Sequence, residues 1–160
     1  MRLGILAVFA TTIAHAEPAV TKRALVEAPS NTVYVELLGK AGPYGLGYER
    51  RITERLWLGV AASYANVRGQ QIATAAPYVH VRLLGDRNSL FTELGAGFVQ
   101  TRIPSPVPEW DGMSDSGGGG FASLGWQRSW THLIVRAHGS VMVGEGGATP
   151  WLGAAIGYTR

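Results

Sequence analysis

The alternation of apolar and polar residues from Thr32 to Tyr158 constrains the fold of this chain more than any other feature. Segments in which apolar side chains recur at every second position dominate this stretch, and no segment shows convincing helical periodicity. Successive side chains of a β-strand point to opposite faces, so the pattern predicts strands with one apolar face. Turn-forming residues separate the alternating segments. We therefore predict that this part of the chain is all-β.

Eight candidate strands follow from this pattern, and several reach the ~9–11 residues that a strand needs to cross a bilayer at a tilt. They are Thr32–Lys40, Tyr44–Arg50, Leu56–Tyr64, Thr74–Leu84, Leu90–Thr101, Gly119–Gln127, His132–Val143 and Pro150–Tyr158. Apart from the tight Ala41–Pro43 turn, the connections are long at one end of the strands and short at the other. The long connections are Ala65–Ala73, Arg102–Gly118 and Gly144–Thr149. This asymmetry is typical of an eight-stranded antiparallel up-and-down transmembrane β-barrel whose termini lie on the periplasmic, short-turn side.

Residues 1–16 have the pattern of a cleaved secretory signal peptide. Met1-Arg2 gives a basic start, Leu3–Ile13 is an uncharged apolar run, and Ala14-His15-Ala16 is a small-x-small cleavage site. The apolar run is too short to span a bilayer, and the alternative is a buried N-terminal helix. We predict export, a flexible segment over residues 17–31 and a barrel domain over residues 32–160. No later segment is apolar enough for a transmembrane helix, so the exported chain is either a barrel or soluble.

The composition excludes several classes of protein. Charged residues make up 16% of the chain and hydrophobic residues 46%, which does not fit a disordered protein. Lysine and arginine never form a run longer than a pair, so the basic stripe of a nucleic-acid-binding surface is missing. The absence of cysteine excludes disulfides, thiol catalysis and the common zinc cages. We expect no cofactor, no metal and no nucleic-acid partner.

Charged residues within the predicted strands fall opposite the apolar face. In the fourth strand Val79 and Val81 share one face, and His80 and Arg82 share the other. Because a basic residue at the bilayer midplane costs ~2–4 kcal/mol, we place the charged face inside the barrel. The predicted lumen contains Glu36, Glu49, His80, Arg82, Glu93, Gln127, Arg136 and His138. Buried charges need partners, so we expect the glutamates to pair with Arg82 and Arg136 in a filled lumen without an open pore.

Two further patterns favour a narrow barrel. A Leu-Gly pair recurs in six of the strands, and outside the first strand its leucine falls on the lipid face and its glycine on the lumen face. The pairs are Leu38-Gly39, Leu46-Gly47, Leu58-Gly59, Leu94-Gly95, Leu124-Gly125 and Leu152-Gly153. Aromatic residues near strand ends are predicted to form interfacial girdles. They are Tyr44, Tyr48, Tyr64, Trp126, Trp151 and Tyr158.

The leader, the eight strands and the aromatic-glycine alternation resemble the small outer-membrane barrels of the OmpA and OmpX type over Thr32 to Tyr158. The resemblance implies a monomeric outer-membrane protein with a structural or surface-interaction role. It also implies contact with outer-membrane lipid or lipopolysaccharide and insertion by the outer-membrane assembly machinery. Members usually end on an aromatic residue, whereas Tyr158 is followed here by Thr159-Arg160.

Leu90–Arg102 and the Arg-Ala-His-Gly-Ser segment ending at Ser140 are similar to the outer-membrane lipid A deacylases. In that family a His-x-Ser pair supplies a base and a nucleophile, which implies an acyl hydrolase that uses His138 and Ser140. Val141 stands where the family has asparagine, and the last strand has no acid, which leaves Glu145 in the preceding loop. The competing interpretation is that His138 and Ser140 are polar residues of the lumen.

The stretch from Ile103 to Trp110 is rich in proline and is predicted to be stiff and extended. Trp110, with Asp111 and Asp115 after it, is the best candidate for a surface contact site. A third interpretation of the whole chain is a soluble, lipocalin-like periplasmic barrel that binds a small apolar ligand. That interpretation requires the apolar strand faces to point inward.

Overall fold

The computed structural model describes residues 31–105 and 112–160, and every regular element in this part of the chain is a β-strand. The strands are β1 (Asn31–Gly39), β2 (Gly42–Arg51), β3 (Leu56–Val67), β4 (Gln70–Leu84), β5 (Asn88–Ile103), β6 (Met113–Ser129), β7 (Leu133–Gly144) and β8 (Gly147–Thr159). Each strand pairs antiparallel with its neighbours in sequence, and β1 pairs with β8 to close the barrel. The predicted eight-stranded antiparallel barrel is confirmed.

The same residues contain no helix that is long and apolar enough to cross a membrane. The predicted signal peptide lies outside the described residues, as does the segment over residues 17–31 except for Asn31, which begins β1.

The strands extend further than the apolar pattern predicted, and the prediction of long loops was wrong in two places. The predicted loop Ala65–Ala73 contains only a two-residue turn at Arg68 and Gly69, whose φ angles are 53° and 84°. Positive φ at both central residues is typical of the type I′ turn, which joins strands tightly. The predicted loop Gly144–Thr149 is likewise a tight hairpin, with Gly144 paired to Gly147. Polar residues end an apolar pattern, but they do not end a ladder that is held by backbone hydrogen bonds.

The connection between β5 and β6 is also shorter than predicted. Much of the predicted loop Arg102–Gly118 is strand, because β5 runs to Ile103 and β6 begins at Met113. The glycine run in this region pairs with β5, as in Gly97 with Gly119. Glycine-rich backbone keeps its donors and acceptors, so it continues the ladder although its sequence is typical of a loop.

The apolar strand faces point outward. Leu58 is 49% exposed and Leu94 is 60% exposed, whereas the neighbouring Glu93 is 1% exposed. The predicted assignment of faces is therefore confirmed at these positions. The lipocalin-like interpretation required the opposite arrangement, with the leucines in the centre, and the structure contradicts it.

The Leu-Gly pairs explain how bulky side chains fit inside a barrel of eight strands. All six leucines are exposed, and each glycine lies against a large inward-facing side chain. Gly47 faces the Tyr34 ring and Gly59 faces the Tyr78 ring, with no room for a Cβ atom at either position. In β1 the positive φ of Leu38 (50°) coincides with an exposed leucine side chain, so this pair conforms to the same rule.

Candidate functional site

A cluster of ionisable side chains fills the middle of the barrel. Glu36 extends from β1, Glu49 from β2, Glu93 from β5 and Arg136 from β7. Each of these four residues is at most 4% exposed. They point inward because they alternate along their strands with residues of the outer face. Buried charges of this kind are stable only when they are paired and hydrogen-bonded.

Arg136 and Glu49 form a bidentate ion pair across the lumen. Arg136 Nη1 donates to Glu49 Oε1 at 2.5 Å, and Nη2 donates to Oε2 at 2.6 Å. The Tyr78 hydroxyl also donates to Glu49 Oε1 at 2.7 Å, and its oxygen lies 2.5 Å from the Tyr34 hydroxyl oxygen. The fork geometry fixes orientation as well as distance. The pair therefore ties β2 to β7 directly through the interior.

Lys40 bridges the other two glutamates, and the sequence prediction missed it. Its ammonium Nζ lies 2.7 Å from Glu36 Oε1 and 3.1 Å from Glu93 Oε2. Lys40 is only 4% exposed, although it lies in the turn between β1 and β2. Its Nζ also sits 4.6 Å from the centroid of the Tyr78 ring. Its position four residues after Glu36 could have suggested an ion pair, but the outward-facing Leu38 between them interrupts the alternation, so alternation alone does not place Lys40 inside.

Two histidines complete the cluster. His80 Nδ1 lies 3.2 Å from Glu93 Oε1 and 3.8 Å from Glu49 Oε1, and its ring stacks on Phe91 with a centroid distance of 4.7 Å. His138 Nε2 lies 3.5 Å from Glu36 Oε1. Each histidine thus contacts at least one carboxylate, and the cluster connects five of the eight strands with the β1–β2 turn.

The cluster includes one trio with the composition of a metal site. Single ligand atoms of Glu49, His80 and Glu93 lie within 4.8 Å of one another. Two cationic side chains already occupy this space, because Arg136 binds both oxygens of Glu49 and Lys40 contacts Glu93. A divalent cation would be repelled by both of them. The arrangement is better suited to crosslinking strands than to holding a metal.

The structure does not bring Arg82 into this cluster. Its guanidinium lies 4.8 Å from the Trp57 ring, and the residue is only half-buried. The register between β4 and β5 shifts between Arg82 and Leu84, so the regular alternation ends there. The pairing expected of Arg82 is made by Lys40 instead.

His138 and Ser140 both lie on the lumen face of β7, and both are buried. The Ser140 hydroxyl oxygen is 2.8 Å from the Ser123 hydroxyl on β6, while His138 contacts Glu36. Glu145 lies exposed in the turn between β7 and β8. The hydrogen-bond partner that the structure gives Ser140 is therefore a second hydroxyl and not a base.

Replacing Ser140 with alanine is expected to leave the lipid A of the host cell unchanged, because a Ser–Ser hydrogen bond does not activate a nucleophile. The loss of one buried hydrogen bond should cost about 1 kcal/mol of stability. Mass spectrometry of lipid A from cells that express the wild type, Ser140→Ala or Ser123→Ala measures the effect. Deacylation by the wild type that disappears only in Ser140→Ala would support the hydrolase.

The outer surface carries aromatic residues at both ends of the barrel. Five of the six predicted girdle residues are exposed, namely Tyr44, Tyr48, Tyr64, Trp126 and Tyr158. Trp151 is the exception, because it pairs with Ser140 and shares its inward orientation. Of the predicted surface contact site, Trp110 and Asp111 lie outside the described residues, and Asp115 is exposed on β6.

No protein-family model matches the sequence, and no curated protein matches it either. The structure is similar to the N-terminal β-barrel domain of Pseudomonas aeruginosa OprF, with a TM-score of 0.59 and 12% identity over 84% of this chain and all of that one. It is also similar to Ail, the attachment invasion locus protein of Yersinia pestis, with a TM-score of 0.51 and 12% identity over 81% of this chain and 93% of that one. A second structure of Ail, in complex with the heparin analogue sucrose octasulfate, gives a TM-score of 0.50 and 14% identity over 81% of this chain and 95% of that one. The chain thus has the fold of the small eight-stranded outer-membrane β-barrels, as its sequence pattern predicted.

Proposed function

We propose that this protein is exported to the bacterial outer membrane and spans it as a monomeric barrel with a structural or surface-interaction role. The observation that carries the proposal is the separation of side chains between the two faces of the sheet. Apolar residues such as Leu94 and Leu124 are about 60% exposed, while Glu93 and Gln127 of the same strands are 1% exposed. An apolar surface of this extent is unfavourable in water, so it favours a barrel that lies in lipid.

The interior supports a filled lumen without an open pore. The ion pairs of Arg136 and Lys40, together with the Tyr34 and Tyr78 rings, occupy the middle of the barrel. An eight-stranded barrel has an interior just wide enough for side chains to fill. The partners of the protein are then found on its outside and at its ends.

The end formed by the β3–β4, β5–β6 and β7–β8 turns is the natural surface for external contacts. In the proposed orientation it faces the outside of the cell, because the described chain begins and ends at the opposite end. The candidate contact residues Trp110, Asp111 and Asp115 belong to the β5–β6 connection and its flank. Ail, which has a similar fold, has been crystallised in complex with a heparin analogue, and this supports a surface-interaction role. Outer-membrane lipid, lipopolysaccharide and the assembly machinery are the partners that we expect.

The chain contains no cysteine, so single-cysteine labelling gives a direct test of bilayer insertion. A Leu94→Cys variant in membranes is expected to react with a membrane-impermeant maleimide more than ~10-fold more slowly than Thr131→Cys, since its thiol would lie in hydrocarbon that excludes a polar reagent. Leu94 and Thr131 are both exposed in the structure, and Thr131 lies in the β6–β7 turn. Labelling rates are measured by gel shift before and after denaturation.

Similar labelling rates for the two variants, or recovery of folded protein in the soluble fraction without detergent, would contradict the proposal. After denaturation both thiols should react at the same rate, which shows that the initial difference comes from the folded, inserted state.

A further inference from the structure

The end of the barrel opposite the β5–β6 connection is strongly basic. This end, which we call the short-turn end, comprises residues 50–55, 82–88, 128–133 and 159–160. It contains seven arginines and two acidic residues, Glu54 and Asp86. The arginines are Arg50, Arg51, Arg55, Arg82, Arg87, Arg128 and Arg160. Such an excess of one charge within a single rim favours an anionic partner.

Some of these arginines follow a fixed pattern on the outer wall. On β2 and β6 an outward-facing aromatic residue is followed two positions later by an arginine, as Tyr48 by Arg50 and Trp126 by Arg128. The aromatic residues and the arginines of both pairs are exposed. Arg160 repeats the spacing after Tyr158 at the end of β8. Because residues two apart share a strand face, these arginines continue the lipid-facing wall beyond the aromatic girdle.

The surroundings of Arg50 and Arg128 leave their charge available. Neither guanidinium forms an ion pair with a carboxylate of the residues that the structure describes. Arg128 is exposed, and its guanidinium lies 5.1 Å from the centroid of the exposed Trp130 ring. Tyr48 below Arg50 is held in place by a 2.7 Å hydrogen bond from its hydroxyl to Asn31 Oδ1.

We infer that Arg50, Arg128 and Arg160, which we call the arginine collar, bind the phosphate groups of anionic phospholipids in the membrane leaflet at the short-turn end. Aromatic residues lie at the level where hydrocarbon meets headgroups. Two residues of strand rise add about 7 Å along a tilted strand, which carries the arginine outward into the phosphate layer. The planar guanidinium then binds phosphate through two parallel hydrogen bonds. A net-negative lipid such as phosphatidylglycerol fits the basic rim better than a zwitterionic one.

This inference rests on the proposed function, because it requires that the barrel spans a bilayer. The chain supplies a matched control, since Arg68 and Arg102 are two exposed arginines at the opposite end. The double variants Arg50→Gln/Arg128→Gln and Arg68→Gln/Arg102→Gln lose the same charge from different ends. Native mass spectrometry of each full chain in non-ionic detergent, titrated with phosphatidylglycerol or phosphatidylcholine, measures the affinity for each lipid.

The wild type is expected to bind phosphatidylglycerol more tightly than phosphatidylcholine. Binding of phosphatidylglycerol to the collar variant should be about thirtyfold weaker, because the variant loses two arginines and each contributes the usual free energy of a basic residue near an anionic surface. The opposite-end variant should change it less than about twofold. Retention of the compact form on unheated gels shows that both variants are folded.

Equal losses in the two double variants would overturn the inference, because they would reflect overall charge alone. It would also be overturned if the wild type bound both lipids equally, or if the collar bound soluble acidic peptidoglycan fragments in preference to phosphatidylglycerol. If instead the labelling of Leu94→Cys shows that the wild type does not insert into membranes, the proposed function itself fails. If the wild type inserts into membranes but shows no lipid preference, only the inference about the arginine collar fails.

Discussion

Replacing Glu49 with alanine is expected to lower the free energy of unfolding of the barrel by about 3–5 kcal/mol. The substitution leaves the Arg136 guanidinium buried without the carboxylate that binds both of its Nη atoms. It also removes the acceptor of the Tyr78 hydroxyl. Removing one partner of a buried ion pair costs more free energy than the pair contributes, because the remaining charge is neither hydrated nor paired with an opposite charge. Urea titration of protein refolded in phospholipid vesicles, followed by tryptophan fluorescence, measures the change.

Two further variants make this expectation specific to the ion pair. Glu145→Ala removes an exposed carboxylate from the β7–β8 turn and should change stability by no more than about 0.5 kcal/mol. The double variant Glu49→Leu/Arg136→Met removes both charges and should recover much of the stability lost in Glu49→Ala, since no charge is left unpaired. A double variant as unstable as Glu49→Ala would mean that packing, and not charge pairing, dominates at this position.

The strand faces could be predicted from the sequence because a two-residue period carries that information locally. Leu58 and Leu94 alternate with residues of the opposite character, and a slip of one residue would reverse every side chain. In β1, where simple alternation would place Leu38 in the lumen, its positive φ turns the side chain outward and brings this strand into agreement with the others. The same rule placed Glu36 and Glu49 in the lumen, where the structure has them.

The pairing within the lumen could not be predicted from the pattern. Glu49 and Arg136 are 87 residues apart, and whether they meet depends on how the closed barrel stacks their strands. Lys40 ends the predicted first strand, but Leu38, an even number of residues from both Glu36 and Lys40, faces outward, so alternation alone could not show that Lys40 is buried. Arg82 shares the parity of the lumen residues, yet it lies where the β4–β5 register shifts. Pairing is a property of tertiary geometry that side-chain alternation does not encode.

The ends of the strands were also beyond the reach of the pattern. Alternation identifies the part of a strand that faces two different media, and it fades where both faces meet water. The turn at Arg68 and Gly69 shows that the ladder continues past this point. Trp151 is a different case, because its parity agrees with the inward-facing Ser140 opposite it, so the girdle assignment disagreed with the rule that had identified the strand.

A Gly47→Val variant is expected to be the next most destabilised, by about 3 kcal/mol. A Cβ atom at Gly47 would overlap the Tyr34 ring, which is buried and fixed by its hydroxyl contact with Tyr78. Because the ring cannot leave its place without breaking that contact, the added volume must strain the β1–β2 pair. Gly97→Val is the matched control, since nothing lies within 4 Å of a Cβ atom at Gly97. Valine favours strands, so this control should be neutral or slightly stabilising in the same urea titration.

A double-mutant cycle identifies the cause of the expected loss. Tyr34→Ala removes the ring that Gly47→Val would strike, so the two substitutions should be less damaging together than the sum of their separate effects. The expected coupling is at least about 1 kcal/mol in favour of the double variant. Strict additivity would show that Gly47 is needed for a reason other than the space it leaves for Tyr34. Equal losses of stability in Gly47→Val and Gly97→Val would show that these strands require glycine in general. The space that glycine leaves for bulky side chains in the lumen would then not be the reason for the Leu-Gly pairs.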